Sequence, residues 1–156
     1  MKRALAIVTA AAVAVAGCGG TAELHDDWIV LALASSPTNL DPAIGLDESS
    51  QRLHQLMFSS LLRIDENLRN VPDLATRFEM KDPQTYIAEI PPGVRFHDGH
   101  EMTSEDVAYT FRRFLDPALV SGRKGAYSNL AAVDTVDRYT VGFRLKEPSG
   151  CFSSRL

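Results

Sequence analysis

The chain has 156 residues, with 16 lysines and arginines against 20 aspartates and glutamates, a net charge of −4 at pH 7. Arginines such as Arg52, Arg63, Arg69, Arg77 and Arg95 are scattered among acids. That distribution argues against a nucleic-acid partner, because a protein that neutralises a phosphate backbone needs a basic face.

The first expected element is a leader. Lys2 and Arg3 precede an apolar run, residues 4–17, whose one polar residue is Thr9. At fourteen residues it is shorter than the ~20 needed to span a hydrocarbon core of roughly 30 Å, and it suits the hydrophobic region of a signal peptide behind a charged start. Val15-Ala16-Gly17-Cys18 at its end resembles the bacterial lipobox. That resemblance implies cleavage before Cys18 and a diacylglycerol thioether on its sulfur. An ordinary signal-peptide site would also accept these small residues and leave Cys18 a spare thiol. Each buried methylene contributes about 0.8 kcal/mol, so two or three acyl chains would hold a domain at a bilayer durably. The expected organisation is a signal peptide over 1–17, the membrane anchor at Cys18, and a small, polar, acidic tether over 18–27. With Cys18 acylated, Cys151 has no disulfide partner, and no reactive surroundings can be read around it.

Residues 28–34, "WIVLALA", are seven apolar residues without alternation, the pattern of a strand buried on both faces of a largely parallel sheet. A helix is expected over 48–58, with Leu53, Leu56, Met57 and Leu61 at helical spacing. Residues 85–90 alternate as a strand, Pro91-Pro92-Gly93 breaks it, and Val94 and Phe96 resume before a turn at Asp98-Gly99. A second helix opens on Thr103-x-x-Asp106, the spacing of a capping box, lines up Val107, Phe111, Phe114 and Leu115, and stops at Asp116-Pro117. "AAVDTV" and "YTVGFRL", meeting at Asp137-Arg138, read as a closing hairpin. The meander and second helix can make a small α+β unit, which leaves 28–34 as the first strand of a different sheet whose partner strands are not in this sequence.

Five stretches together resemble the solute-binding proteins of bacterial peptide and nickel importers, extracellular family 5. They are the lipobox, "NLDPA" (39–43), "VPDLA" (71–75), "GVRFHDGHEMTSEDVAYTFRRFLDP" (93–117) and "AVDTVDRYTVGFRLKEPS" (132–149). The most specific piece is "FHDG", a short spacer and a Thr-capped helix containing Glu-Asp-Val. One departure is Phe58-Ser59-Ser60-Leu61-Leu62, where the family usually carries an aromatic-Glu-Gly-Leu sequence. The resemblance implies a type II periplasmic-binding-protein-like α/β fold, here truncated: the start of the main lobe over 28–60 (first strand, loop and helix), followed by a small α+β domain over 61–156 that is expected to be incomplete at its C-terminal end. It implies capture of a peptide or other small solute for an ABC permease in the inner membrane, with no cofactor and no chemistry. It also implies that two lobes close on the solute, so a chain of this length is expected neither to close on a ligand nor to fold robustly alone.

The same resemblance places the loop after the Leu-Asp-Pro motif beside the ligand cleft, which by an ungapped match is Leu46, Asp47 and Glu48. Ligands of open α/β sheets do bind beyond the carboxyl ends of strands. Asp47 and Glu48 equally suit the positive end of the following helix. Tyr127 is the other candidate, because oligopeptide-binding relatives set a tyrosine of the small domain against the ligand near this point. A flat apolar ring with a hydroxyl suits a peptide carbonyl, and it equally suits a core. His97, Asp98 and His100 supply two imidazoles and a carboxylate, but Asp98-Gly99 is a turn signal and no further His or Cys cluster completes a metal site. No nucleophile elbow, phosphate loop or His-Glu-x-x-His is present, so a surface-anchored hydrolase or a passive structural lipoprotein is the rival to a receptor rather than the first reading.

Overall fold

The computed structural model describes residues 29–156. The chain divides into two units, residues 1–32 and residues 33–156. Of the first, residues 29–32 are described; they carry no regular element, and Ile29 and Val30 are 99% and 70% exposed. The strand expected over 28–34 is therefore not formed where the structure describes it. A strand is held by ladder hydrogen bonds to a neighbour. Among the described residues nothing pairs with this run.

In the second unit, helix α1 (Glu48–Met57) is followed by a short antiparallel hairpin of β1 (Leu62–Ile64) and β2 (Asn70–Pro72). A four-stranded antiparallel sheet follows, built from β3 (Arg77–Asp82), β4 (Thr85–Glu89), β5 (Leu130–Asp137) and β6 (Thr140–Leu145) in the order β3-β4-β6-β5. Helix α2 (Ser104–Leu115) lies between β4 and β5 in sequence, and 3-10 turns occupy Lys124–Tyr127 and Phe152–Arg155. The α+β unit read from the sequence is thus formed. The β1–β2 hairpin and the edge strand β3 are additions that the sequence reading did not contain.

Alternation explains the central strands. Val141, Phe143 and Leu145 of β6 are buried while Arg144 between them is exposed, and Tyr86 and Ala88 of β4 are buried between partly covered neighbours. In β5 the buried pair is Leu130 and Val133, three apart, which strict alternation would put on opposite faces. A register shift between Leu130 and Ala132 inserts the extra residue and turns both inward. The hairpin closes at Arg138 and Tyr139, one residue beyond the expected Asp137-Arg138. Val94 and Phe96 do not resume a strand. A single bridge, Arg95 to Glu101, replaces it, and Phe96 is 45% exposed, so the apolar pair does not serve one buried face. Gly99, at the expected turn, takes φ of 90°, a left-handed conformation open to glycine.

Helix α2 is formed as its sequence implies. The backbone N–H of Thr103 donates to the Asp106 carboxylate at 2.8 Å, and the Thr103 hydroxyl donates to the same oxygen at 2.9 Å. Val107, Ala108, Phe111 and Phe114 are buried, with the Phe111 ring edge-on to Phe143 at 5.0 Å. The helix start is tied to the β5–β6 turn: the Ser104 amide donates to the Arg138 carbonyl at 2.9 Å, and the buried Ser104 hydroxyl donates to the Asp137 carbonyl.

Helix α1 reverses the expectation. Its buried residues are Ser49, Ser50 and His54, whereas Leu56, Met57 and the following Phe58 are 71%, 43% and 48% exposed. Leu61, expected to extend the stripe, lies past the helix and is buried in the main core instead. The polar face is inward because the preceding loop folds onto it and supplies hydrogen-bond partners, described below.

Glu101 joins three segments, accepting from the Gly93 amide at 3.2 Å, the Tyr139 hydroxyl at 2.8 Å and Arg138 at 2.8 Å. The Arg138 guanidinium, then the Tyr139 hydroxyl and the Gly93 amide, lower its carboxyl from the ordinary 4.5 to about 2. A depressed carboxyl contributes stability that is complete above the ordinary value and is lost as pH falls through the folded one. Glu101→Gln is expected to lower the denaturation midpoint above pH 4.5, with the gap from the parent closing as pH approaches 2. Chemical denaturation across that range checks it; a gap that does not change with pH would refute the assignment.

Candidate functional site

The loop of residues 35–47, which contains the "NLDPA" stretch, is built on backbone-to-side-chain hydrogen bonds. Asn39 accepts from the Asp41 amide at 2.8 Å, and Asp41 accepts from the Ala43 amide at 2.9 Å, two successive Asx turns. The Asp41 carbonyl then accepts from the amides of Ile44 and Gly45, both at 2.9 Å. Such a loop is fixed by its own short polar side chains.

Three residues of α1 hold the loop down. The fully buried Ser50 hydroxyl accepts from the Thr38 amide at 3.0 Å and the Asn39 amide at 3.2 Å, and donates to Asp47 at 2.6 Å. Ser49 and Ser35 share a hydroxyl contact at 2.9 Å. His54 sets Nε2 3.2 Å from the Asn39 carbonyl, and since a carbonyl only accepts, Nε2 carries the proton in that contact. Gly45 lies where this packing is closest. A Cβ there would stand 2.3 Å from the Asn39 carbonyl oxygen and 2.9 Å from the Ser50 Cβ.

The loop is also tied to α2 and the segment after it. Arg113 meets Asp41 with both terminal nitrogens, at 2.5 Å and 3.3 Å, in a pair whose side chains are 32% and 29% exposed. The Arg113 guanidinium holds the Asp41 carboxyl below the usual carboxylate range. The Ser121 hydroxyl donates to the Ala43 carbonyl, and Leu46 packs so closely on Gly122 that a Cβ at Gly122 would lie 2.3 Å from its Cδ1.

Within this frame the residues singled out from the sequence are differently placed. Asp47 is the N-cap of α1, accepting from the Ser50 amide at 2.9 Å, the Ser50 hydroxyl, the Thr38 amide at 3.3 Å and the Thr38 hydroxyl. The Ser50 and Thr38 hydrogen bonds hold its carboxyl well below the usual range. Glu48, in the first turn, pairs with Arg52 at 2.6 Å on the exposed side. Leu46 is 44% exposed, and its carbonyl accepts from Gln51 at 2.5 Å. Tyr127 is elsewhere: its ring stacks on Phe114 at 4.3 Å, lies edge-on to Phe111 at 5.7 Å, and its hydroxyl donates to the Arg155 carbonyl at 2.6 Å. Burial pushes its phenol above the ordinary value. No hydrogen bond among the described residues joins Tyr127 to residues 46–48.

Asp98 turns back onto its own hairpin, accepting from the His100 amide at 2.9 Å. Among the described residues no three His, Cys, Asp or Glu side chains converge as metal ligands. Ser50, His54, Gly45 and Arg113, which organise the loop, were given no role by the sequence reading. The Ser49-Ser50 pair four residues before His54, on a helix otherwise striped with leucine, is the signal that could have found the polar face. Cys18 lies outside the described residues.

Gly45→Ala is expected to destabilise the chain by ~1–3 kcal/mol through overpacking against backbone that cannot step aside. Denaturant midpoints check this, and an unchanged midpoint would show that the loop is not held as tightly as the contacts imply.

Residues 69–156 match the family described as bacterial extracellular solute-binding proteins, family 5 Middle. The glutathione-binding protein GsiB of Shigella dysenteriae is 31% identical over 150 residues, covering 96% of this chain and 28% of that protein. The oligopeptide-binding protein AppA of Bacillus subtilis is 30% identical over 125 residues, covering 80% of this chain and 23% of that protein. The chain therefore spans about a quarter of the length of these relatives. Among solved structures, B. subtilis AppA in complex with a nonapeptide matches with a TM-score of 0.65 at 31% identity, over 67% of this chain and 21% of that one. NikZ of Campylobacter jejuni in complex with Ni(L-His) matches with a TM-score of 0.69 at 26% identity, over 78% and 24%. Both neighbours are type II periplasmic binding proteins, so the sheet and helices described above are a part of that fold. By its sequence and its fold, the chain belongs to the bacterial extracellular solute-binding proteins, family 5.

Proposed function

We propose that the chain is part of the solute-binding component of an ABC importer, which captures a peptide or related small solute outside the inner membrane and releases it unchanged to a permease. The observation that carries this reading is the family match over residues 69–156. The names of its relatives are those of binding proteins, for glutathione and for oligopeptides. Capture without chemistry needs placed polar groups and apolar walls in a cleft, and no nucleophile with a base beside it. In this reading residues 28–60 begin the main lobe, residues 61–156 form the small domain, and Leu46, Asp47, Glu48 and Tyr127 border the solute. Asp47 then serves twice, as helix cap and as the fixed end of a cleft loop. The leader over 1–17 is removed, residues 18–27 form the tether, and Cys18 carries the lipid that holds the protein at the cell envelope.

Two measurements test this. The protein purified from its own host, incubated with a peptide mixture and denatured, is expected to return intact peptides; steady consumption of the peptides would identify a hydrolase and overturn the reading. Mass spectrometry of detergent-extracted protein is expected to find an N-terminal, diacylated Cys18. An unmodified Cys18, or a mature terminus elsewhere, would remove the anchor.

A further inference from the structure

Beside the 3-10 turn Lys124–Tyr127 lies a recess of about 340 Å³ whose walls include Phe114, Leu115, Tyr127 and Leu130, with Lys124 and Lys146 at its edge. Its volume falls in the lower range of small-molecule sites, roughly 300–1,000 Å³. The two lysines are held in place by backbone. Lys146 Nζ donates to the Ser128 carbonyl at 2.6 Å, and Lys124 Nζ donates to the carbonyls of Asp116 at 2.6 Å and Leu119 at 3.5 Å. Neither ammonium joins an ion pair among the described residues. An ammonium has three donors, so both lysines keep at least one unused. Arg123, at the N-cap of the turn, and Arg155, which donates to the Ala126 carbonyl, bring two further cations to the same short element. In a chain that is acidic overall, this is a local concentration of positive charge around an apolar hollow.

Lys124 has a structural use, since a cation favours the carbonyl end of a helix. That does not account for Lys146, which follows β6 and reaches across to the turn. We propose that this recess binds an apolar monocarboxylate, the side chain lying on the partly exposed Leu115 and Tyr127 and the carboxylate taking the free donors of Lys124 and Lys146. A free aromatic or branched acid and the C-terminal residue of a peptide share this chemistry. The recess shares Tyr127 with the receptor reading but is judged by its own titration, and that reading by peptide recovery, so either can fail without the other.

An amide-detected NMR titration of the chain tests it, with N-acetylphenylalanine as the peptide-end probe, 3-phenylpropionate as the free-acid probe and N-acetylphenylalanine amide as the uncharged control. Saturable shifts centred on the amides of Gly125, Ser128 and Leu130 are expected with one or both acids, at least tenfold weaker with the amide. The tighter acid then names the source. Lys146→Gln is expected to weaken binding at least tenfold with the thermal midpoint unchanged, and Lys124→Gln to weaken binding while also lowering the midpoint. Equal binding of acid and amide, affinity untouched by Lys146→Gln, shifts centred elsewhere, or no saturable shift at all would each overturn the proposal.

Discussion

The edge-on contact of Phe111 with Phe143, at 5.0 Å, fixes where helix α2 lies on the sheet, and the rest of the unit is positioned from it. Phe143 has no exposed surface and sits on a central strand, paired on both sides, so it cannot move without the sheet. With Phe111 pointing inward, a helix of 3.6 residues per turn directs the next two residues away from the core on either side. Arg112 accordingly reaches the edge strand, donating from Nε to the Val133 carbonyl at 2.9 Å, and Arg113 reaches the 35–47 loop through Asp41. Three consecutive residues thus join core, sheet edge and candidate binding loop. A slip of α2 by one position would break all three attachments together.

The polar face of α1 follows from the same constraint. Once Arg113 holds Asp41, the loop lies over the side of α1 that carries Ser49, Ser50 and His54. A buried hydroxyl without partners costs about 1–3 kcal/mol, and Ser50 avoids that cost by using one donor and two acceptor positions at once. The consequence appears on the opposite side, where Leu56, Met57 and Phe58 stay exposed. Apolar side chains left in water forgo roughly 1.5–3 kcal/mol each, so this orientation of α1 leaves that contribution unmade and keeps the hydrogen bonds of its serines instead. None of the described residues covers these three side chains.

What could be read from the sequence was what depends on neighbours a few residues away. The Thr103–Asp106 cap, the stop at Asp116-Pro117, the Asp98-Gly99 turn and the β5–β6 hairpin are local, and each is formed. The orientation of α1 was not legible, because leucine at helical spacing says which residues share a face and not which face the chain will cover. Edge strand β3 was missed because Arg77, Glu79 and Lys81 dilute its apolar residues, as a solvent-facing edge requires. Residues 28–34 read as a strand from composition, but pairing is a property of two segments and cannot be read from one. The family resemblance placed Leu46, Asp47, Glu48 and Tyr127 near a ligand; it carried no information on what their polar atoms already bind.

Hydrogen-bond capacity decides what those residues can contribute. Asp47 accepts four hydrogen bonds from Ser50 and Thr38, three of them on Oδ2 and one on Oδ1, so Oδ2 is fully used and Oδ1 keeps room for a further donor. The Tyr127 hydroxyl has already given its one proton to the Arg155 carbonyl. A group whose donors and acceptors are satisfied inside the fold gains little by turning to a ligand, because each new bond replaces an old one. Within the fold Asp47 caps α1 and fastens the loop, and the Tyr127 hydroxyl keeps only acceptor capacity. Groups that keep unused capacity, and ordered water between them, stay open to a further partner. Around the turn Lys124–Tyr127, Lys124 and the exposed Lys146 keep spare donors, and Arg123 Nε has no partner among the described residues. The candidate loop is fastened through Arg113 and the recess is walled by Phe114 and Leu115, so consecutive side chains of one helix serve the two features.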